Sequence, residues 1–169
     1  MPVEPADHAS GIATAPLTLV EYGDYQCTWC CGAYPIIKQL QRDQPGQIRF
    51  VFRHFPLLPM HSLSQQAAQA AEAAGAQGKF WEMHELLCER QSGLMPHNFI
   101  QYAAILNLDL VRFGRALREG AYAGRIAADV ESGIRSGVTG APAFFVNGCR
   151  AGEDWNRGNL RRRLEALLR

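Results

Sequence analysis

Val20-Glu21-Tyr22-Gly23-Asp24-Tyr25-Gln26-Cys27-Thr28-Trp29-Cys30-Cys31 is the stretch on which the fold turns. Ahead of it, Leu17, Thr18, Leu19 and Val20 follow Pro16 as a β-favouring run that ends near Gly23. Behind it, Cys27 opens a segment in which Tyr34, Ile36, Ile37 and Leu40 fall at helical spacing. Strand therefore passes to helix at Cys27. Pro35 lies inside that helix, where it removes a backbone bond and should kink the axis. After the Gln44-Pro45-Gly46 turn, Ile48, Phe50 and Phe52 alternate with Arg49, Val51 and Arg53 as a second strand, so the chain opens as a βαβ unit.

From about His61 to Gly137 the pattern becomes helical. Leu63, Ala67, Ala70, Ala71 and Ala74 share one face, as do Phe80, His84, Leu87 and Cys88. Phe99, Ala103 and Leu106 suggest a further helix, and Asp109 is placed to cap another that carries Leu110, Phe113 and Leu117. Tyr122, Ile126, Val130 and Ile134 recur every fourth residue. The tail reverts to strand at Pro142-Ala143-Phe144-Phe145-Val146, turns at Asn147-Gly148, and returns through Cys149-Arg150-Ala151. A last helix buries Leu160, Leu164, Leu167 and Leu168 and turns Arg157, Arg161 and Arg162 to water. The order is βα, β, helices, ββα, without internal repeats.

The three clustered cysteines carry the chemistry. Disulfide exchange needs a thiolate to attack, a second thiol to displace the mixed disulfide, and room for another chain. At a helix N-terminus, unpaired amides and the macrodipole favour a negative sulfur, so Cys27 is expected to have a lowered pKa and to attack. Cys30, nearly one turn deeper, should stay protonated until it resolves the intermediate. Neither Thr28 nor Trp29 adds a positive charge, which predicts moderate rather than extreme oxidising power. A Cys-x-x-Cys pair is also half of a structural zinc site, but no second such pair and no His-x-x-x-His accompanies it. The reading therefore requires no metal or nucleotide cofactor.

Composition narrows the field further. The 169 residues, 47% of them hydrophobic, suffice for one domain with its own core. Lysine and arginine total 17 against 16 acidic residues, and a net charge of +1 offers no general attraction to nucleic acid or an anionic membrane. Met1 to Pro16 contain no apolar run of signal-peptide or membrane-span length, so the chain as given reads as cytoplasmic; a gene whose leader had been trimmed would read the same. Oligomeric state is not legible.

Several residues are candidates for support. Gly137-Val138-Thr139-Gly140-Ala141-Pro142 ends in a proline at the start of a strand; a cis bond there would leave the Ala141 backbone free to pair with an extended peptide, although a trans bond is the commoner case. Glu21 stands in a strand expected to be central, where an unpaired carboxylate is costly; it could relay protons to Cys30, with Asp24 as the rival for that role. Trp29 reads equally as an exposed contact for substrate or as a packed aromatic. Cys31 could compete for the Cys27–Cys30 disulfide, but adjacent helical positions point about 100° apart, so Cys31 and Cys88 read as packed thiols and Cys149 as a lone exposed one, with a Cys88–Cys149 bond as the open alternative. His84 reads as a hydrogen-bonded core histidine and His54 as a strand-end residue.

Taken together, the run from Val20 to Cys30, Arg53-His54-Phe55-Pro56-Leu57, Gln77-Gly78-Lys79-Phe80-Trp81 and the stretch from Gly137 to Pro142 resemble the DsbA-like family of thioredoxin-fold proteins, in family order and over nearly the whole chain. The resemblance implies an α/β thioredoxin fold, one domain over 1–169, with residues 16–60 and 138–169 as its core and 61–137 as a helical insertion. It implies nucleophilic Cys27, resolving Cys30, a cis Pro142 beside them and Glu21 as the buried acid, with Ala141, Trp29 and Thr28 placed to meet substrate. Protein thiols and disulfides, or glutathione-like small thiols, are the implied partners. Thr28 replaces the family's common proline, Ala141 its threonine or valine, and Cys31 is an added thiol. Two rival functions stand beside this one: a glutathione-dependent transferase or isomerase on the same scaffold, and a non-catalytic peptide-binding or holdase module.

Overall fold

The computed structural model describes residues 2–58, 60–152, 155 and 158–168. Arg157, expected to face water, lies outside them. A five-stranded sheet in the order β1-β3-β2-β4-β5 organises the chain, from β1 (His8–Ser10), β2 (Leu17–Gly23), β3 (Ile48–His54), β4 (Ala143–Val146) and β5 (Cys149–Arg150). β2 and β3 run parallel through α1 (Thr28–Asp43), as the βαβ reading requires, and the other pairings are antiparallel.

Both central strands are buried on both faces. Leu19, Phe50, Phe52 and Phe144 join the larger core, which also takes in Ile37 and Leu40 from α1 and the Phe80, Met83 and Leu87 face of α3 (Phe80–Glu89). Val20, Tyr22, Val51, Phe55 and Phe145 form the smaller core behind the sheet, against which Val130 packs. The alternation read along β3 is therefore not solvent against core. Val51 is wholly buried, and Arg53 is buried as well. Arg53 meets Asp7 with Nε to Oδ1 at 2.8 Å and Nη2 to Oδ2 at 2.7 Å, and it also donates to Tyr22 Oη at 2.9 Å. That fork holds the amino-terminal segment against the sheet, and β1 pairs beside it with Phe50–Phe52.

Among the described residues, five α-helices lie between β3 and β4: α2 (Ser64–Gly75), α3, α4 (Pro96–Ile105), α5 (Leu110–Glu119) and α6 (Ala123–Arg135), with a short 3-10 helix at Gln91–Gly93 after α3. Alanines at 67, 70, 71 and 74 let α2 pack closely, and Asp109 caps α5 by accepting from the Arg112 amide at 2.9 Å. In α6 the buried residues are Ile126, Asp129 and Gly133, three and four apart, so the every-fourth-residue stripe drifts off the core and Ile134 is exposed. The closing helix α7 (Leu160–Leu167) buries Leu160 and Leu164 but leaves Leu167 exposed.

The cysteine pairing differs from the sequence reading. Cys31 and Cys88 are joined in a disulfide, with Cα atoms 4.9 Å apart across 57 residues of sequence. They are neither separate packed thiols nor, for Cys88, a partner of Cys149, which is free and exposed. Cys31 faces the flank on which α3 docks, a tertiary fact that helical spacing within α1 does not contain.

Candidate active site

Cys27 is the N-cap of α1, with φ −79° and ψ 113°, so its sulfur stands where the helix presents unpaired amides. The Cys30 thiol donates to the Cys27 sulfur, and this is the main cause that brings the Cys27 pKa down from 9.0 to about 6. Burial works against it, and the backbone amides of Cys30 and Trp29 add to the lowering. Cys30 shows the opposite behaviour: burial, then the hydrogen bond to Cys27 and the charge of Glu21, raise it well above an ordinary thiol. Both cysteines are free and buried, Cys27 at 7% exposure and Cys30 at 3%. A poised sulfur thus sits outside a reluctant one.

The proline loop meets this sulfur. The Ala141–Pro142 bond is cis, and the Cys27 thiol donates to the Ala141 carbonyl oxygen at 3.5 Å. Ala141 and Pro142 are half-exposed, and next to them a cavity of about 280 Å³ runs past Thr139, Phe144 and Trp155. Thr28 is exposed, and Trp29, at 56% exposure, is the presented aromatic rather than the packed one.

Glu21 is buried in β2 opposite Phe144 and Phe52, with Oε1 lacking any hydrogen-bond partner. Burial, then the charge of Cys27, raises its pKa well above the usual carboxylate range, so its protonated form is favoured. Asp24, its rival, is committed elsewhere. It accepts from the amides of Gln26 and Leu57 at 2.7 Å each, from His61 Nδ1 at 2.8 Å and from the Ser64 hydroxyl. Gln26 adds a bond from the Leu63 amide at 2.6 Å, so the loop before Cys27 is tied to the chain that leads into α2. Gln26, His61 and Ser64 escaped the sequence reading, because nothing local links them before the chain folds.

His84 is a core histidine, 3.0 Å from Tyr25 Oη, and burial lowers its pKa to about 3. His54 does stand at the end of its strand, and its Nε2 shares Glu72 Oε1 with His8 Nε2, at 2.9 and 2.8 Å. Among the described residues, His8, His54 and Glu72 are the group whose donor atoms lie close enough to hold a metal ion, and neither Cys27 nor Cys30 belongs to it.

This sheet order, with an intact Cys-x-x-Cys at the head of the first long helix and a cis proline against it, defines a thioredoxin-fold protein. Residues 4–166 match the family described as thioredoxin, and the chain belongs to that family. A thioredoxin-like oxidoreductase from Silicibacter pomeroyi superposes with a TM-score of 0.81 at 25% identity, covering 97% of this chain and 93% of that one. Oxidised BdbD from Bacillus subtilis shares the fold, with a TM-score of 0.81 at 23% identity, covering 95% and 91%. The DsbA-like fold implied by the sequence motifs is borne out by these likenesses. By sequence, the chain is 48% identical over 157 residues to Na(+)/H(+) antiporter NhaA 1 of Salinispora arenicola, covering 92% of this chain but only 24% of that protein. No helix among the described residues is long and apolar enough to cross a membrane.

Proposed function

We propose that the chain catalyses thiol–disulfide exchange on protein substrates through Cys27 and Cys30. The observation that carries this is the opposed tuning of two adjacent sulfurs, one lowered to about 6 and lying against the Pro142 loop, the other more deeply buried and raised. A substrate thiolate attacks the Cys27 sulfur of the oxidised pair, and Cys30 leaves and is protonated. A second substrate thiolate then attacks the substrate sulfur of the mixed disulfide and expels Cys27 as a thiolate. In the reverse direction Cys27 attacks and Cys30 resolves. Glu21, buried and with its protonated form favoured, is the candidate to give and take the Cys30 proton. Thr28, Trp29 and the Ala141 backbone are the proposed contacts for the substrate chain.

At pH 7 the lowered thiolate favours the reduced form by about one pKa unit, roughly 1.4 kcal/mol, which raises the potential by at most roughly 30 mV. This supports a moderate oxidant. The closed Cys31–Cys88 disulfide fits an oxidising compartment, so we assign oxidation as the working direction, in place of the reducing role that a cytoplasmic setting would favour. The ion exchange named for the antiporter relatives is not part of this proposal, which rests on the dithiol.

The test is turnover of a reduced, unfolded protein substrate by the unaltered chain, Cys27→Ser and Cys30→Ser. Loss in both variants supports dithiol exchange. Survival in Cys30→Ser would favour a glutathione-dependent transferase or isomerase, and no turnover by the unaltered chain would leave a peptide-binding module.

A further inference from the structure

The Cys31–Cys88 disulfide is not sealed in the core. Cys31 is buried but Cys88 is only half-buried, and both line an open cavity of about 440 Å³ along the flank of α1, bounded by Thr28, Tyr34, Lys38, Glu85 and Gln91. That volume suits a small molecule and not a folded protein's loop. Its walls carry both signs of charge, with Lys38 paired to Glu85 and with Arg42 and Glu89 further along.

We propose that Cys31–Cys88 is a second exchange site, independent of the Cys27 pair and served by small zwitterionic thiols entering this cavity. The thiolate attacks the more accessible Cys88 sulfur, the Cys31–Cys88 bond breaks, and Cys31 leaves and takes a proton. A second small thiol attacks the mixed disulfide on Cys88 and releases it, so two thiols are oxidised to one small disulfide while two protein thiols form. The product is accommodated in advance. The Cys31 sulfur lies 3.7 Å from the Tyr25 carbonyl oxygen, within reach for a thiol to donate, and Gln91 Nε2 holds that carbonyl at 2.7 Å. Opening this bond frees the first turn of α1, next to Cys30, from its covalent tie to α3.

The experiment uses the chain carrying Cys27→Ser, Cys30→Ser and Cys149→Ser, incubated native with reduced glutathione, quenched by alkylation and mapped by mass spectrometry. The expected result is a glutathione adduct on Cys88, followed by alkylated Cys31 and Cys88, with the opening rate rising about tenfold for a tenfold rise in glutathione, as direct attack requires. A rate independent of glutathione and equal to that of global unfolding would overturn the proposal. The same peptide mapping on the unaltered chain decides the matter should the triple variant not fold, because the Cys88 peptide is distinct from those carrying Cys27, Cys30 and Cys149.

Discussion

The sulfur of Cys27 lies 3.5 Å from the carbonyl oxygen of Ala141, 114 residues further along the chain. One residue heads a helix and the other precedes a strand, and the sheet brings them together because β2 and β4 are neighbours. The sulfur proposed to attack and the backbone proposed to pair with substrate therefore meet at one place, which is the arrangement that the proposed exchange with an extended substrate needs.

The reduced chain should gain a thiolate absorbance near 240 nm with a midpoint at about pH 6, assigned to Cys27 by its loss in Cys27→Ser. Because the folded value lies below the unfolded 9.0, the native state binds fewer protons between the two, and reduced-state stability rises with pH across that window. Denaturant unfolding should show the reduced form gaining about 1.4 kcal/mol from Cys27 by pH 7, an advantage lost as pH falls through 6.

Glu21→Gln should stabilise the chain at neutral pH. The raised pKa of Glu21 means that the native state holds a proton the unfolded state releases, so its ionisation equilibrium costs no stability below the usual 4.5 and progressively more as pH rises above it. The gain should be about 1–3 kcal/mol and should vanish at acid pH. If Glu21 also moves the Cys30 proton, the same variant should slow resolution of the mixed disulfide and flatten its pH profile. A change in stability alone would reduce Glu21 to a structural residue.

Asp7→Ala should cost about 3–5 kcal/mol, because it removes the carboxylate that faces the buried Arg53 guanidinium through two hydrogen bonds. Replacing Arg161, whose partners Asp43 and Glu165 lie at the surface, should leave stability essentially unchanged. Parallel denaturation curves of the two variants would check the contrast.

The junction at Cys27 was legible because two signals coincide there, a change from strand to helical periodicity and a cysteine pair one turn apart. Glu21 was legible as a carboxylate in a central strand. β1 was not, since His8-Ala9-Ser10 carries little β preference and is held by its pairing with β3. The Cys31–Cys88 bond and the bonds that collect on Asp24 were hidden for one reason: their partners come together only when α2 and α3 dock, and no local pattern encodes that docking.

The central claim meets its most direct test in Cys30→Ser, incubated with a peptide that contains a disulfide and then digested for mass spectrometry. We predict a stable mixed disulfide between the peptide and Cys27. Absence of an adduct, or an adduct carried by the exposed Cys149, would contradict the account.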